Sequence, residues 1–307
     1  MRSLLSEVFQ QEDNIYEKIY LYFIGSCLDF WRVYGISIPE KTIVFDYNDS
    51  AYQLNTKKLL HKKITVDGYD KIAQVTPTDN GFFCFAENSN GKFFVRVKNS
   101  ATDFVKIPGN DILYVEDMCF VNDDLFALCI CQNDDGSSSL GKIYKADFDN
   151  NTLLPLSAGQ KNIDIKKLFS LDNRLFVYSI DAEDNRAVSE YKDGNLLFLT
   201  SGSIPLTVDE TSFLFLNEND KTMQYDINKN SSFETQYRLD ITDYESDVFN
   251  SCYDIKDGYC VGYKPGFPIK GASNLIGGVT VLNIENGKEY TVFSFLKGRN
   301  MQHIKFV

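Results

Sequence analysis

Four runs in the middle of the chain decide the fold: VEDMCFV (Val115–Val121), DLFALCI (Asp124–Ile130), GKIYKADFD (Gly141–Asp149) and TLLPL (Thr152–Leu156). Each is a short apolar or alternating stretch rich in β-branched and aromatic side chains. Between them lie Asn122-Asp123, the segment Asn133–Gly136 and Asn150-Asn151, the residue types that accept the backbone angles of tight turns. Four consecutive strands joined by short turns build a small antiparallel sheet. Such a sheet cannot bury both of its faces alone.

The same unit recurs. Its best-defined strand, an apolar run after an Asp/Asn/Gly turn, returns as GFFCF (Gly81–Phe85), DLFALCI, RLFVYSI (Arg174–Ile180), SFLFL (Ser212–Leu216) and GYCVGY (Gly258–Tyr263). From Phe82 the intervals to Phe126, Phe176, Phe213 and Tyr259 are 44, 50, 37 and 46 residues. Their mean, about 44, is the length of a four-stranded propeller blade. Each marker run is preceded by a strand (KIAQVTP, VEDMCFV, IKKLFSL, SIPLTV, FNSCYDI) and followed by two more. The terminal run HIKFV (His303–Val307) reads as a sixth inner strand with nothing after it. Its partners are expected from the N-terminal runs IYLYFIG, DFWRVYG and KTIVFDYN, which would close the ring and remove its edges.

The reading is therefore an all-β propeller over residues 15–307, six blades preferred, preceded by a short helix over 1–14. In that helix Leu4, Leu5, Val8 and Phe9 form a stripe behind the Ser3 cap. A seven-bladed ring, with 15–60 as a full blade, is the main alternative, and a pair of two-sheet sandwiches the lesser one. No repeated Gly-His/Trp-Asp pair, kelch Gly-Gly doublet or sialidase box occurs. The strand rhythm of residues 15–307 resembles the six-bladed propellers of TolB-like and SMP-30/NHL-like shape.

Composition bounds the rest. The 307 residues carry 31 basic and 43 acidic side chains, a net charge of −12, which disfavours a nucleic-acid backbone as partner. Twenty-four Phe, 18 Tyr and one Trp suit half-buried strands. Seven cysteines, none in a CxxC pair and most inside apolar runs, read as reduced packing residues and point to the cytoplasm. Ile24-Gly25-Ser26-Cys27 supports the alternative, an exported lipoprotein acylated at Cys27, but the preceding stretch is acidic where an export signal is basic. No run approaches the ~18 apolar residues of a spanning helix.

Chemistry is sparse. Of the two histidines, His61 is expected at a solvated loop position within KKLLHKK (Lys57–Lys63), a run that as a whole reads as a basic, solvated outer strand, and His303 in the terminal strand is expected to hold an ordinary hydrogen bond. Asn133-Asp134-Asp135-Gly136 and Asp181–Asn185 are oxygen-rich enough for calcium, the one cofactor the sequence allows. Neither has the DxDxDG spacing, and both suit hairpin turns. Tyr263–Gly278 breaks the rhythm as a long segment with Pro265, Pro268, Lys264, Phe267, Ile269 and Lys270 and no acid. As a connection between second and third strands it would share a face with Asp134, Asp135, Asp184 and Arg186. Lys264, Phe267, Ile269, Lys270, Asp134, Asp135, Asp184 and Arg186 are the predicted binding set, and a protein or peptide the predicted partner of a non-enzymatic module. The alternative is a hydrolase or lyase acting on carbohydrate or lactone with paired carboxylates at the central channel.

Overall fold

Turn chemistry sets the strand ends. Asn122 and Asp123 take φ of 51° and 68°, and Asp172 and Asn173 take 48° and 55°. Asp257 and Gly258 take 50° and 77°, so all three pairs hold left-handed angles at both turn positions, the geometry whose twist matches a two-residue hairpin. Other turns are closed by side chains. Asp181 Oδ1 accepts the amides of Glu183 and Asn185 at 2.8 and 2.9 Å, and Asn217 Oδ1 those of Asn219 and Lys221 at 2.9 and 3.0 Å.

The computed structural model describes residues 39–47, 50–58, 60–99, 101–108, 112–133, 135–156, 162–239, 252–268, 275–296 and 302–307. The predicted helix over 1–14, the runs IYLYFIG and DFWRVYG, and Cys27 lie outside them. Among the described residues twenty-four strands run β1 (Thr42–Tyr47), β2 (Ser50–Asn55), β3 (Leu60–Lys63), β4 (Lys71–Thr78), β5 (Gly81–Asn88), β6 (Gly91–Lys98), β7 (Ala101–Lys106) and β8 (Ile112–Val121). They continue as β9 (Asp124–Cys131), β10 (Lys142–Asp147), β11 (Thr152–Leu156), β12 (Ile163–Leu171), β13 (Arg174–Asp181), β14 (Arg186–Lys192), β15 (Asn195–Ser201) and β16 (Ser203–Thr207). The last eight are β17 (Ser212–Leu216), β18 (Thr222–Asp226), β19 (Ser231–Glu234), β20 (Cys252–Lys256), β21 (Tyr259–Pro268), β22 (Leu275–Asn283), β23 (Glu289–Leu296) and β24 (Gln302–Phe306).

They form six antiparallel four-stranded sheets. Five are sequential, β4–β7 through β20–β23, and the sixth has the order β24-β1-β2-β3. The first strands β4, β8, β12, β16, β20 and β24 touch in a closed circuit around the axis. The structure is thus an all-β six-bladed propeller. Its closing blade takes β1, β2 and β3 as the partners of the terminal strand, so residues 42–63 occupy the seats that the sequence reading shared with runs at 19–35. His61 falls on the outer strand β3, all four residues of which are exposed, rather than in a loop.

The apolar core lies in the seams between blades. Phe83, Phe94 and Val105 of one blade pack on Met118, Leu125 and Ala127 of the next, and Phe176 and Val188 pack on Phe213 and Phe215. Cys84, Cys119, Cys129, Cys131 and Cys260 are buried free thiols within these layers. Burial pushes the thiols of Cys84, Cys119 and Cys129 far above their ordinary range, so they serve as small packing groups.

Candidate functional site

Every inner strand loses register with its neighbour near mid-length. The shifts fall at Ala73/Thr76 in β4, Val115/Asp117 in β8, Ile165/Lys167 in β12, Ser203/Leu206 in β16 and Cys252/Asp254 in β20. In the closing blade the shift lies between β1 and β24, opposite His303 and Ile304. Gln74, Ile204 and His303 take φ of 51°, 52° and 51° at three of these bulges, left-handed angles that L side chains seldom adopt. A bulge re-aims side chains. Here it brings polar residues of otherwise apolar strands to the axis.

There they join blade to blade. Asp46 Oδ2 accepts the Gln74 amide at 2.7 Å and bonds His303 Nδ1 at 2.8 Å, while His303 Nε2 reaches the Glu116 carbonyl at 3.1 Å. Both partners of the imidazole are oxygen atoms on other strands, Asp46 of β1 and Glu116 of β8, so the ring bridges three strands. Gln74 Nε2 donates to the Val115 carbonyl. Asp117 accepts the Leu168 amide at 2.9 Å and Asp254 the Phe306 amide at 2.8 Å, each splicing its strand to a neighbouring blade. Lys305 Nζ donates to the Met118 carbonyl at 2.7 Å and Thr76 Oγ1 at 3.0 Å, with Asp117 Oδ1 at 4.0 Å.

Two acids, Asp117 and Asp254, therefore share the axis with two bases, Lys167 and Lys305. Burial pushes the Asp254 carboxyl up, against the Phe306 amide and the two lysines. Burial likewise pushes the Lys167 amine down, against Asp117 and Asp254. Burial thus opposes the charged form of both groups, and the opposite charges beside each one favour it. The paired carboxylates of an open central pocket are not seen in this group. Each oxygen of Asp117 and Asp254 already accepts a main-chain amide.

Above this plug, toward the face carrying the second-to-third-strand connections, Glu116 is half-buried and forms no ion pair among the described residues. Burial pushes its carboxyl up, with Lys166 opposing and Asp164 and Asp117 adding. Lys166 is held by Asp164 at 2.6 Å. Burial raises the Tyr178 hydroxyl beside Arg186 and Asp184. Tyr114 is 53% exposed and Leu140 47%.

The structure describes five of the eight predicted binding residues. Asp134, Ile269 and Lys270 lie outside the described residues. Asp135 is an exposed turn residue whose Oδ1 accepts both the amide and the hydroxyl of Ser137. Asp184 ends the turn closed by Asp181, and Arg186 opens β14, both exposed. Lys264 and Phe267 lie in β21, opposite Gly278 and Ile276. Most of the segment read as a long loop is thus a paired hairpin, with residues 269–274 joining its arms. Pro265 falls in the register break between Lys264 and Phe267, where a ladder donor is dispensable. Among the described residues no group of three or more His, Cys, Asp or Glu is placed to hold a metal ion. Asp181, in the second calcium candidate, already accepts from two amides and the Asn185 side chain.

Apart from His303, the axial residues went unread in the sequence, although a signal was there. Glu116-Asp117, Lys166-Lys167 and Asp254 are charges inside strands whose remaining positions are mostly apolar.

No protein-family model matches the sequence, and no curated protein matches it. Among the described residues no helix is long and apolar enough to cross a membrane. Solved structures match by shape. TolB from Acinetobacter baumannii aligns with a TM-score of 0.54 at 11% identity, over 90% of this chain and 69% of that one. A chain of a nidogen/laminin complex aligns with a TM-score of 0.50 at 11% identity, over 87% and 98%. At that identity the likeness concerns fold alone, and the fold it supports is the six-bladed propeller.

Proposed function

We propose that this chain is a non-enzymatic interaction module that binds a protein or peptide on the propeller face carrying the second-to-third-strand connections. The observation that supports it most is the commitment of Asp117 and Asp254 to blade-to-blade bonds, beside a face that exposes Tyr114, Leu140 and Arg186. Tyr and Arg are enriched where proteins meet, because they combine apolar area with hydrogen-bonding capacity. The reading expects Lys264, Phe267, Ile269, Lys270, Asp134, Asp135 and Asp184 to supply contacts to that partner, Lys264 and Phe267 from the fifth blade's β21 and Asp135 and Asp184 from exposed turns. One similar fold belongs to a complex of two proteins, nidogen and laminin.

The test is affinity capture from the native source, comparing the parent with Y114A/L140D/R186E and with the outer-strand variant F198A. The reading expects the captured protein to be lost by the face variant and kept by F198A. Equal capture by all three overturns it. So does turnover of a sugar or lactone that Glu116→Gln abolishes, since Glu116 is the carboxyl at the axis best placed for acid–base work.

A further inference from the structure

The outer strand of the closing blade departs from the charge of the rest of the molecule. Lys57, Lys58, Lys62 and Lys63 fall within seven residues of a chain whose net charge is −12. Lys57 pairs with Glu40 at 3.4 Å, whereas Lys62 and Lys63 form no ion pair among the described residues. The other outer strands differ. β7 carries Asp103, held by Arg96 at 2.9 Å, and β19 carries Glu234, held by Lys221 at 3.3 Å. β11 and β15 hold no charge.

Beside β3 the seam between the closing blade and its neighbour opens into a groove of about 210 Å³. Val44, Val75, Pro77 and Phe82 line its apolar part, together with Lys62 and Lys63. Leu60, at the start of the strand, is 67% exposed. Among the described residues the outer side of β3 pairs with no other strand, so it offers main-chain donors and acceptors along an edge. Lysines on such an edge repel a second copy of the same strand. The same charge favours a strand of opposite sign.

We infer that β3 and this groove form a docking surface, separate from the face proposed above, for an acidic extended segment of a partner protein. The segment adds to β3 as a fifth strand of the closing blade. Main-chain hydrogen bonds hold it, apolar side chains on one of its faces enter the groove, and its carboxylates meet Lys62 and Lys63. An extended peptide is favoured over a polyanion, because the edge supplies a ladder and the groove is apolar. The overall charge of −12 also repels a long anionic chain.

The test uses the full chain and the fluorescent peptide Glu-Val-Glu-Ile-Glu-Val-Asp, read by anisotropy at low salt. Three controls accompany it: the same peptide with Lys for each acid, the same peptide with Pro at its central positions, and heparin as competitor. The inference expects saturable binding of the acidic peptide, weakened about tenfold or more by K62E/K63E and by added salt, and lost with the Pro and Lys peptides. Binding of the Pro peptide equal to that of the parent peptide, or displacement by heparin at equal charge concentration, reduces the site to a bare electrostatic patch and overturns strand addition. No saturable binding, or no change in K62E/K63E, overturns the site. Because the peptide controls use the unaltered protein, a folding defect in the variant cannot decide the result. The face proposal stands or falls separately, through Y114A/L140D/R186E.

Discussion

Phe213 has no exposed surface and sits among the rings of Phe169, Phe176, Phe215 and Tyr225, with centroids 5.2 to 6.5 Å away. These rings come from two blades, so the residue joins a seam rather than filling a single sheet. Replacing it with Ala leaves a void between rigid sheets that cannot collapse, at about 3–5 kcal/mol, measurable as a lowered urea midpoint. A midpoint shift worth under about 1 kcal/mol would mean that the seam repacks. Glu190 and Arg174 pair across β14 and β13 through two hydrogen bonds, and the Arg174 guanidinium lies 5.2 Å from the Phe176 ring centre. The hydrogen bonds from Arg174 hold the Glu190 carboxyl below its ordinary value, with burial opposing. A depressed folded value means stability present above the unfolded value, near 4.3, and lost as pH falls through the folded one. Glu190→Gln should therefore lose roughly 1 kcal/mol at about pH 7 and converge with the parent in acid. Equal loss at both pH values would locate the effect in packing.

At the scale of elements, strand pairing depends on how closely backbones approach. A Cβ built on Gly81 would lie 1.8 Å from the Val97 carbonyl oxygen, inside the β5–β6 ladder. Gly81→Ala must push the two strands apart at their shared end and should lower stability by about 3 kcal/mol, read by urea unfolding. A neutral result would show that this hairpin end is frayed in solution. The hairpins themselves were legible in the sequence. Asn122-Asp123, Asp172-Asn173 and Asp257-Gly258 announce their turns, because these residue types accept left-handed angles locally. The arms of β21 and β22 were not legible, since Pro265, Gly266 and Gly277-Gly278 read as loop residues when their cross-strand partners are out of view.

At the scale of the molecule, closure joins residues far apart in the chain. Asp46 and His303 are separated by 257 positions, and His303 and Glu116 by 187. β24 is thereby fixed to β1 beside it and to β8 two blades away. His303→Phe removes one of the two partners of the buried Asp46 carboxylate and should lower stability by about 1–3 kcal/mol. Asp46→Asn on that background should cost less than on the parent, a coupling that a double-mutant cycle reports. Strict additivity of the two changes would show that the pair contributes nothing to closure.

The sequence by itself determined most of the strands and their turns, the four-strand unit, its repetition and the all-β class. Each of these depends on neighbours within a few residues or on a period of about 44 that can be counted along the chain. It also marked β3 as basic and exposed, because a run of like charge is a local property. Only the tertiary structure decided which residues meet. The seating of β1, β2 and β3 in the closing blade, the splicing of Asp46, Asp117 and Asp254 onto neighbouring inner strands, and the balance of Lys167 and Lys305 against those acids follow from ring closure. Closure sets distances between positions that no local period relates, and the bulges of the inner strands aim side chains in ways that an alternating pattern does not encode.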